Sequence, residues 1–200
     1  LRYEDVPSAA NFAGADKTVE YREGPFVGYR YFESAEKPVQ FPFGYGLSYT
    51  TFAYSDLTAD ANGVTLTVTN TGGVAGSEIV QLYIGKPGSK IIRPAKELKG
   101  LAKVHLAPGE KKSVTILFDD MTFRYWNTGT SRWETEPGRY EIMVGASVAD
   151  IRLRAAVVIA GTHAPLPEQN PVLNCYYKAD VLHVSFTYEK AEKPFLHPYQ

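Results

Sequence analysis

A strict alternation in the middle of the chain constrains its fold more than any other feature. Val64, Leu66 and Val68 alternate with Thr65, Thr67 and Thr69, directly after the turn pair Asn62-Gly63. A period of two sends successive side chains to opposite faces, as in a half-buried strand. Related patterns recur along the chain. Ile79 to Ile84 is bounded by Gly76 and Gly85, and Val114, Ile116 and Phe118 alternate with Ser113, Thr115 and Leu117. Tyr140, Ile142 and Val144 give a fourth strand, then Ile151, Leu153 and Ala155 to Ile159 a fifth. Phe52 to Leu57, Leu98 to Leu106 and Phe123 to Trp126 are weaker candidates. Turn signals separate them: Asn70-Thr71-Gly72-Gly73, Pro87-Gly88, Pro108-Gly109-Glu110, Thr128-Gly129 and Pro137-Gly138.

Seven or so short strands with no helical segment between them predict a mainly β chain. The expected architecture is an antiparallel β-sandwich of immunoglobulin-like type. A parallel sheet would need crossover helices, and none is legible. The sandwich is expected over residues 49–160, between two segments of different character. Residues 1–48 are aromatic and turn-rich, too short and irregular for a core of their own. Within them Phe26 to Phe32 is β-prone, and Pro38 to Phe43 is expected as an extended edge segment. Gly44-Tyr45-Gly46-Leu47-Ser48-Tyr49 then forms a glycine-punctuated joint. Residues 161–200 read as a tail or linker punctuated by Pro165, Pro167 and Pro171, with a short strand expected at His183 to Ser185.

Composition excludes several function classes. Of the 200 residues, 44% are hydrophobic and 22% charged, which is ordinary for a globular chain. Lys and Arg number 21 against 22 Asp and Glu, a net charge of -1 without the basic stripe that a nucleic-acid partner requires. No uninterrupted apolar run is long enough to span a bilayer, and no membrane partner is expected. The first residues, Leu1-Arg2-Tyr3-Glu4-Asp5, lack an initiator Met and do not resemble a signal peptide, so the chain is expected to begin in mid-protein. Cys175 is the single cysteine, compatible with the cytoplasm and unable to form an internal disulfide. His105, His163, His183 and His197 are scattered without ligand spacing, so neither metal nor cofactor is expected.

Catalytic patterns are weak. No G-x-S-x-G elbow is present, Cys175 has no recognisable base beside it, and Tyr49 stands where a dinucleotide fingerprint needs Gly. Two acidic pairs, Asp119-Asp120 and Glu134 with Glu136, are candidates for the two carboxylates of glycoside hydrolysis. Their position at strand ends and turns makes solvated loop residues the stronger reading, and Asp56 reads as structural. Tyr125-Trp126 and Trp133 bracket an expected hairpin loop, Asn127 to Arg132. Exposed indoles there would stack on sugar rings, whereas an indole in a small sandwich more commonly fills the core, the stronger expectation here.

Two consecutive motifs carry a family resemblance. Val19-Glu20-Tyr21-Arg22-Glu23-Gly24-Pro25-Phe26-Val27-Gly28-Tyr29-Arg30-Tyr31-Phe32, followed by Phe41-Pro42-Phe43-Gly44-Tyr45-Gly46-Leu47-Ser48-Tyr49-Thr50-Thr51-Phe52, resembles family 3 glycoside hydrolases. The likeness is to the segment of β-glucosidases where an α/β-sandwich domain ends and a fibronectin type III-like domain begins. It continues through Gly76 to Tyr83, Arg93 to Leu101, Leu106 to Glu110 and Gly138 to Gly145.

The resemblance implies that 1–48 is the C-terminal remnant of the α/β-sandwich domain and 49–160 the fibronectin type III-like module. It implies retaining hydrolysis of β-glucosides by a parent protein whose nucleophile and acid/base lie in other domains. No catalytic residue is therefore assigned here. The implied partners are the TIM-barrel and α/β-sandwich domains of the same protein, with a β-glucoside or oligosaccharide as the parent's substrate. Phe41, Phe43, Tyr45, Leu47, Tyr49 and Phe52 are the expected interdomain contacts. The basic loop Pro87 to Lys99, with Lys90, Arg93 and Lys96, either reaches an active-site rim or, the stronger expectation, is solvated. The alternative from the residues themselves is a free-standing carbohydrate-binding or scaffold module that uses Trp126 and Trp133.

Overall fold

Each alternating segment becomes a strand in the computed structural model, which describes residues 3–6, 8, 9 and 23–167. Cys175, the strand expected at His183 to Ser185 and residues 19–22 of the motif lie outside the described residues. Nine strands run in order: β1 (Phe52–Ala59), β2 (Gly63–Asn70), β3 (Gly76–Gly85), β4 (Glu97–Leu106), β5 (Lys111–Leu117), β6 (Arg124–Asn127), β7 (Arg132–Thr135), β8 (Gly138–Gly145) and β9 (Ile151–Ile159). They form a three-stranded sheet β1-β2-β5, a four-stranded sheet β4-β3-β8-β9 and a two-stranded ribbon β6-β7. All pairings are antiparallel. The two larger sheets close on one core, an immunoglobulin-like sandwich.

The period of two dictates that core. Val64, Leu66 and Val68 of β2 pack in one cluster with Val80, Leu82 and Ile84 of β3 and with Ile142 and Val144 of β8. Tyr140 is fully buried at the start of β8, and its hydroxyl donates to the carbonyl of Glu136 at 2.7 Å. A buried tyrosine bonding back to the backbone just upstream is the tyrosine-corner arrangement of such sandwiches. Edge strand β1 carries an irregularity between Ser55 and Thr58, where Asp56 adopts φ 55° and accepts from the Ser55 hydroxyl. Such a bulge bends an edge away from further strand pairing.

β3 departs from half-burial: all residues from Val80 to Gly85 are buried, because its second face is covered too. Tyr83 and Met143 on that face form a second cluster with Val148, against which Tyr29, Leu98 and Ile151 pack. The cover includes a helix, α1 (Tyr29–Ser34), where β-prone sequence predicts extended chain. Six residues carry little summed propensity, so tertiary contacts decide their conformation. Tyr31 is buried, the Tyr29 hydroxyl accepts from the Leu98 N–H at 2.8 Å, and the Ser34 hydroxyl donates to the Arg30 carbonyl at 2.6 Å. Pro38 to Phe43 also departs from expectation, having no strand pairing.

Candidate functional site

Beyond α1, residues 41–49 run across the covered end of β3 and β8 as an irregular ribbon whose backbone is firmly held. The Val148 N–H donates to the Phe43 carbonyl at 3.0 Å. Gln81, buried in β3, donates through Nε2 to the carbonyls of Gly44 at 3.2 Å and Ala146 at 2.6 Å. Its Oε1 accepts from the Tyr83 hydroxyl at 2.6 Å. Gly44 has φ 82°, and a Cβ there would run into the Gln81 carboxamide, so glycine is required on both counts. Thr50 ends the ribbon inside the protein, its hydroxyl donating to Asn70 Oδ1 at 2.6 Å.

The side chains of this ribbon point outward. Leu47 is 89% and Tyr49 99% exposed, and Phe41, Phe43 and Tyr45 are also exposed. Phe43 stacks on Tyr29 with ring centroids 4.5 Å apart, and Phe41 lies 5.6 Å from Tyr45. Of the six residues expected at an interdomain contact, Phe52 alone packs against the sandwich core. A row of large apolar groups on a tied-down backbone is suited to association, because little order remains to be imposed when a partner binds.

The basic loop beside this surface is not solvated as composition predicts. Lys96 Nζ contacts Glu33 Oε2 at 2.6 Å and donates to the Val148 carbonyl at 2.8 Å. Arg93 lies over the rings of Tyr125 and Tyr140 and donates to the Phe123 carbonyl at 3.3 Å. Both cations fasten neighbouring segments together; Lys90 remains exposed. The Ala95 N–H donates to the Ser34 hydroxyl at 2.8 Å, so α1 and this loop form one body.

The acidic candidates are likewise engaged locally. Asp119 Oδ1 accepts from the Met121 N–H and the Thr122 hydroxyl, and these bonds hold its carboxyl below the usual range. Asp120 pairs with Arg124 at 3.1 Å. Glu134 accepts from the Thr130 hydroxyl at 3.1 Å, and Glu136 from the Ser89 hydroxyl and the Lys90 N–H. An open depression of about 630 Å3 beside Leu117, Phe118 and Val158 has a single carboxylate in its lining, Asp119. Among the described residues, no group of three or more His, Cys, Asp or Glu converges to hold a metal ion.

The tryptophans contradict the core expectation. Trp126 and Trp133 are directly paired across β6 and β7, half-exposed at 50% and 49%, with ring centroids 5.5 Å apart and planes at 75°. The reason is topological: β6 and β7 belong to neither sandwich sheet, so one of their faces has no layer to pack on. Gln81, Lys96 and Glu33 were not singled out by sequence. A lone amide inside the apolar run Ile79 to Ile84 is the signal that would have identified Gln81.

Comparison with known proteins agrees with this architecture. The model of the fibronectin type III-like domain matches residues 78–148. The chain is similar to probable beta-glucosidase K of Emericella nidulans, 49% identical over 163 residues, covering 80% of this chain and 20% of the relative. It is 43% identical over 166 residues to the exo-alpha-(1->6)-L-arabinopyranosidase of Bifidobacterium breve, covering 80% of this chain and 22% of that protein. The crystal structure of the Bifidobacterium adolescentis GH3 beta-glucosidase superposes with a TM-score of 0.75 at 40% identity, over 86% of this chain and 27% of the other. The chain thus spans about a fifth of the length of the curated relatives it matches.

Proposed function

The chain belongs to the family 3 glycoside hydrolases, as a portion of such a protein carrying its fibronectin type III-like domain, and we propose that this portion supports a β-glucosidase without holding its active site. In this reading 1–48 is the end of an α/β-sandwich domain, 49–160 the supporting module and 161–200 an extension. Its partners are the TIM-barrel and α/β-sandwich domains of the same protein, which hydrolyse β-glucosides with retention. The observation that carries the reading is the ribbon, whose backbone is bound to the sandwich while Phe41, Phe43, Tyr45, Leu47 and Tyr49 face outward. Burying a few hundred Å2 of such surface contributes several kcal/mol at about 25 cal/mol per Å2, before ordering costs.

Two further points support it. A retaining mechanism needs two carboxyl groups about 5 Å apart across the substrate, whereas Asp119, Asp120, Glu134 and Glu136 are each engaged in local hydrogen bonds or ion pairs. Relatives named for a β-glucoside and for an arabinopyranoside share this portion at 49% and 43% identity, as expected if the choice of sugar is made elsewhere.

The test is hydrolysis of p-nitrophenyl β-glucoside by the purified chain, alone and mixed with a separately expressed barrel and α/β portion. Silence alone and activity restored in the mixture is the expected result. Turnover by the chain alone would overturn the supporting role and return attention to the four acids. No restoration by a folded chain would count against the ribbon as the contact surface.

A further inference from the structure

The β6–β7 hairpin has two faces with different fates. Its inner face is fully employed: Asn127 is buried, donates to the Pro165 carbonyl at 2.7 Å and accepts from the Gly129 and Thr130 N–H groups. On the same face the Tyr125 ring lies under the Arg93 guanidinium at 5.4 Å. Alternation then sends Arg124, Trp126, Trp133 and Thr135 to the outer face. The hairpin is therefore anchored without its indoles, and its largest apolar side chains stand in solvent beside an exposed ion pair, Arg124 with Asp120 at 3.1 Å.

We propose that Trp126 and Trp133, with Arg124 and Asp120, form a binding corner for one pyranose ring of a β-glucoside. This inference is independent of the ribbon and of any catalytic assignment. The occupant follows from the chemistry of the corner. A β-glucopyranose carries its ring hydroxyls equatorially, so its two faces are patches of axial C–H that match an aromatic plane, while its rim is polar all round. The hairpin offers the complementary arrangement: indole faces bordered by a guanidinium and a carboxylate, which donate to and accept from vicinal hydroxyls. The 75° angle between the indoles makes a corner rather than a flat strip. It accommodates a single ring stacked on one indole with its edge toward the other, not an extended chain of sugars. A ligand of that size on so open a surface is expected to bind with a Kd of roughly a millimolar.

The two indoles are the only tryptophans of the sequence, so the intrinsic tryptophan emission of the whole chain reports on this corner alone. The experiment is a fluorescence titration of the full chain with cellobiose, with sorbitol at matched concentration as the control and acrylamide quenching measured at each end point. A saturable change with cellobiose, accompanied by reduced quenching and absent with sorbitol, is expected. Galactose, whose axial 4-hydroxyl spoils one face, should bind more weakly than glucose. Trp133→Ala should weaken cellobiose binding by roughly threefold to tenfold, the range for losing one stacked aromatic contact. Arg124→Gln keeps both indoles and should weaken it as well, which covers the case in which the alanine variant disturbs the hairpin. Emission that ignores cellobiose, responds equally to sorbitol or is unchanged in affinity by Arg124→Gln would overturn the proposal. So would indoles shielded from acrylamide before any sugar is added, because another surface would then already occupy the corner.

Discussion

Replacing Gln81 by leucine should destabilise the protein far more than an amide-to-alkyl change of similar size would at the surface. The carboxamide makes three hydrogen bonds, two to the carbonyls of Gly44 and Ala146 and one from the Tyr83 hydroxyl. Gly44 is exposed and Ala146 half-buried, so water can reach their carbonyls and each loss costs about 0.5–1 kcal/mol. Tyr83 is fully buried, and its hydroxyl would have no partner, a penalty of about 1–3 kcal/mol. Gln81→Leu is thus expected to cost about 2–4 kcal/mol, or a Tm reduction of roughly 5–15 °C for a chain of this size. Urea denaturation should show a lower midpoint with an unchanged slope.

The decisive arm is the double variant Gln81→Leu/Tyr83→Phe. Removing the stranded hydroxyl should recover about 1–2 kcal/mol relative to Gln81→Leu, so the two changes should couple strongly in a double-mutant cycle. Hydrogen exchange adds a local readout, since the Val148 N–H that bonds the Phe43 carbonyl should exchange faster once the ribbon loses its anchor. A cost below about 1 kcal/mol for Gln81→Leu, or additive single changes, would refute the view that this amide is the buried clamp of the ribbon.

Other consequences follow from individual contacts. Tyr140→Phe removes the bond to the Glu136 carbonyl and should cost about 1–2 kcal/mol by thermal or urea unfolding; burial pushes this phenol up to about 12, so the wild-type contribution should be constant through neutral pH. Leu47→Ser with Tyr49→Ser should leave Tm within about 2 °C because both side chains are solvated, yet reduce self-association measured by sedimentation and abolish restoration of glucosidase activity. Asp119 has its carboxyl lowered in the folded state by the Thr122 hydroxyl and the neighbouring N–H groups. Its contribution should be complete above the unfolded value near ~4 and lost as pH falls through the folded one. The acid limb of a Tm-versus-pH curve should accordingly be shallower in Asp119→Ala.

Much of the sandwich was legible because its strands obey a local rule. Val64, Leu66 and Val68 share a face whatever surrounds them, and Asn62-Gly63 before them supplies a turn from residue type alone. The same logic located the hairpin that carries Trp126 and Trp133. It failed where the answer depended on what lies opposite. β-prone Tyr29 to Phe32 became helical through contacts with Leu98 and Tyr83, about seventy and fifty residues away in sequence. Lys96 read as solvated because its partner Glu33 lies far along the chain. The tryptophans read as core because a period of two reveals which residues share a face but not whether another layer covers it.

By itself, then, the sequence determined the local terms: strand periods, turn chemistry, the near-neutral charge and the motifs that carry the family likeness. Tertiary structure alone decided that β3 is buried on both faces, that the aromatic ribbon is clamped through Gln81 with its side chains outward, and that the two indoles meet at a solvent-facing corner. Backbone preference and side-chain alternation are properties of neighbours in the chain. Burial is a property of neighbours in space, and long-range packing outweighs the few tenths of a kcal/mol per residue by which local propensities differ.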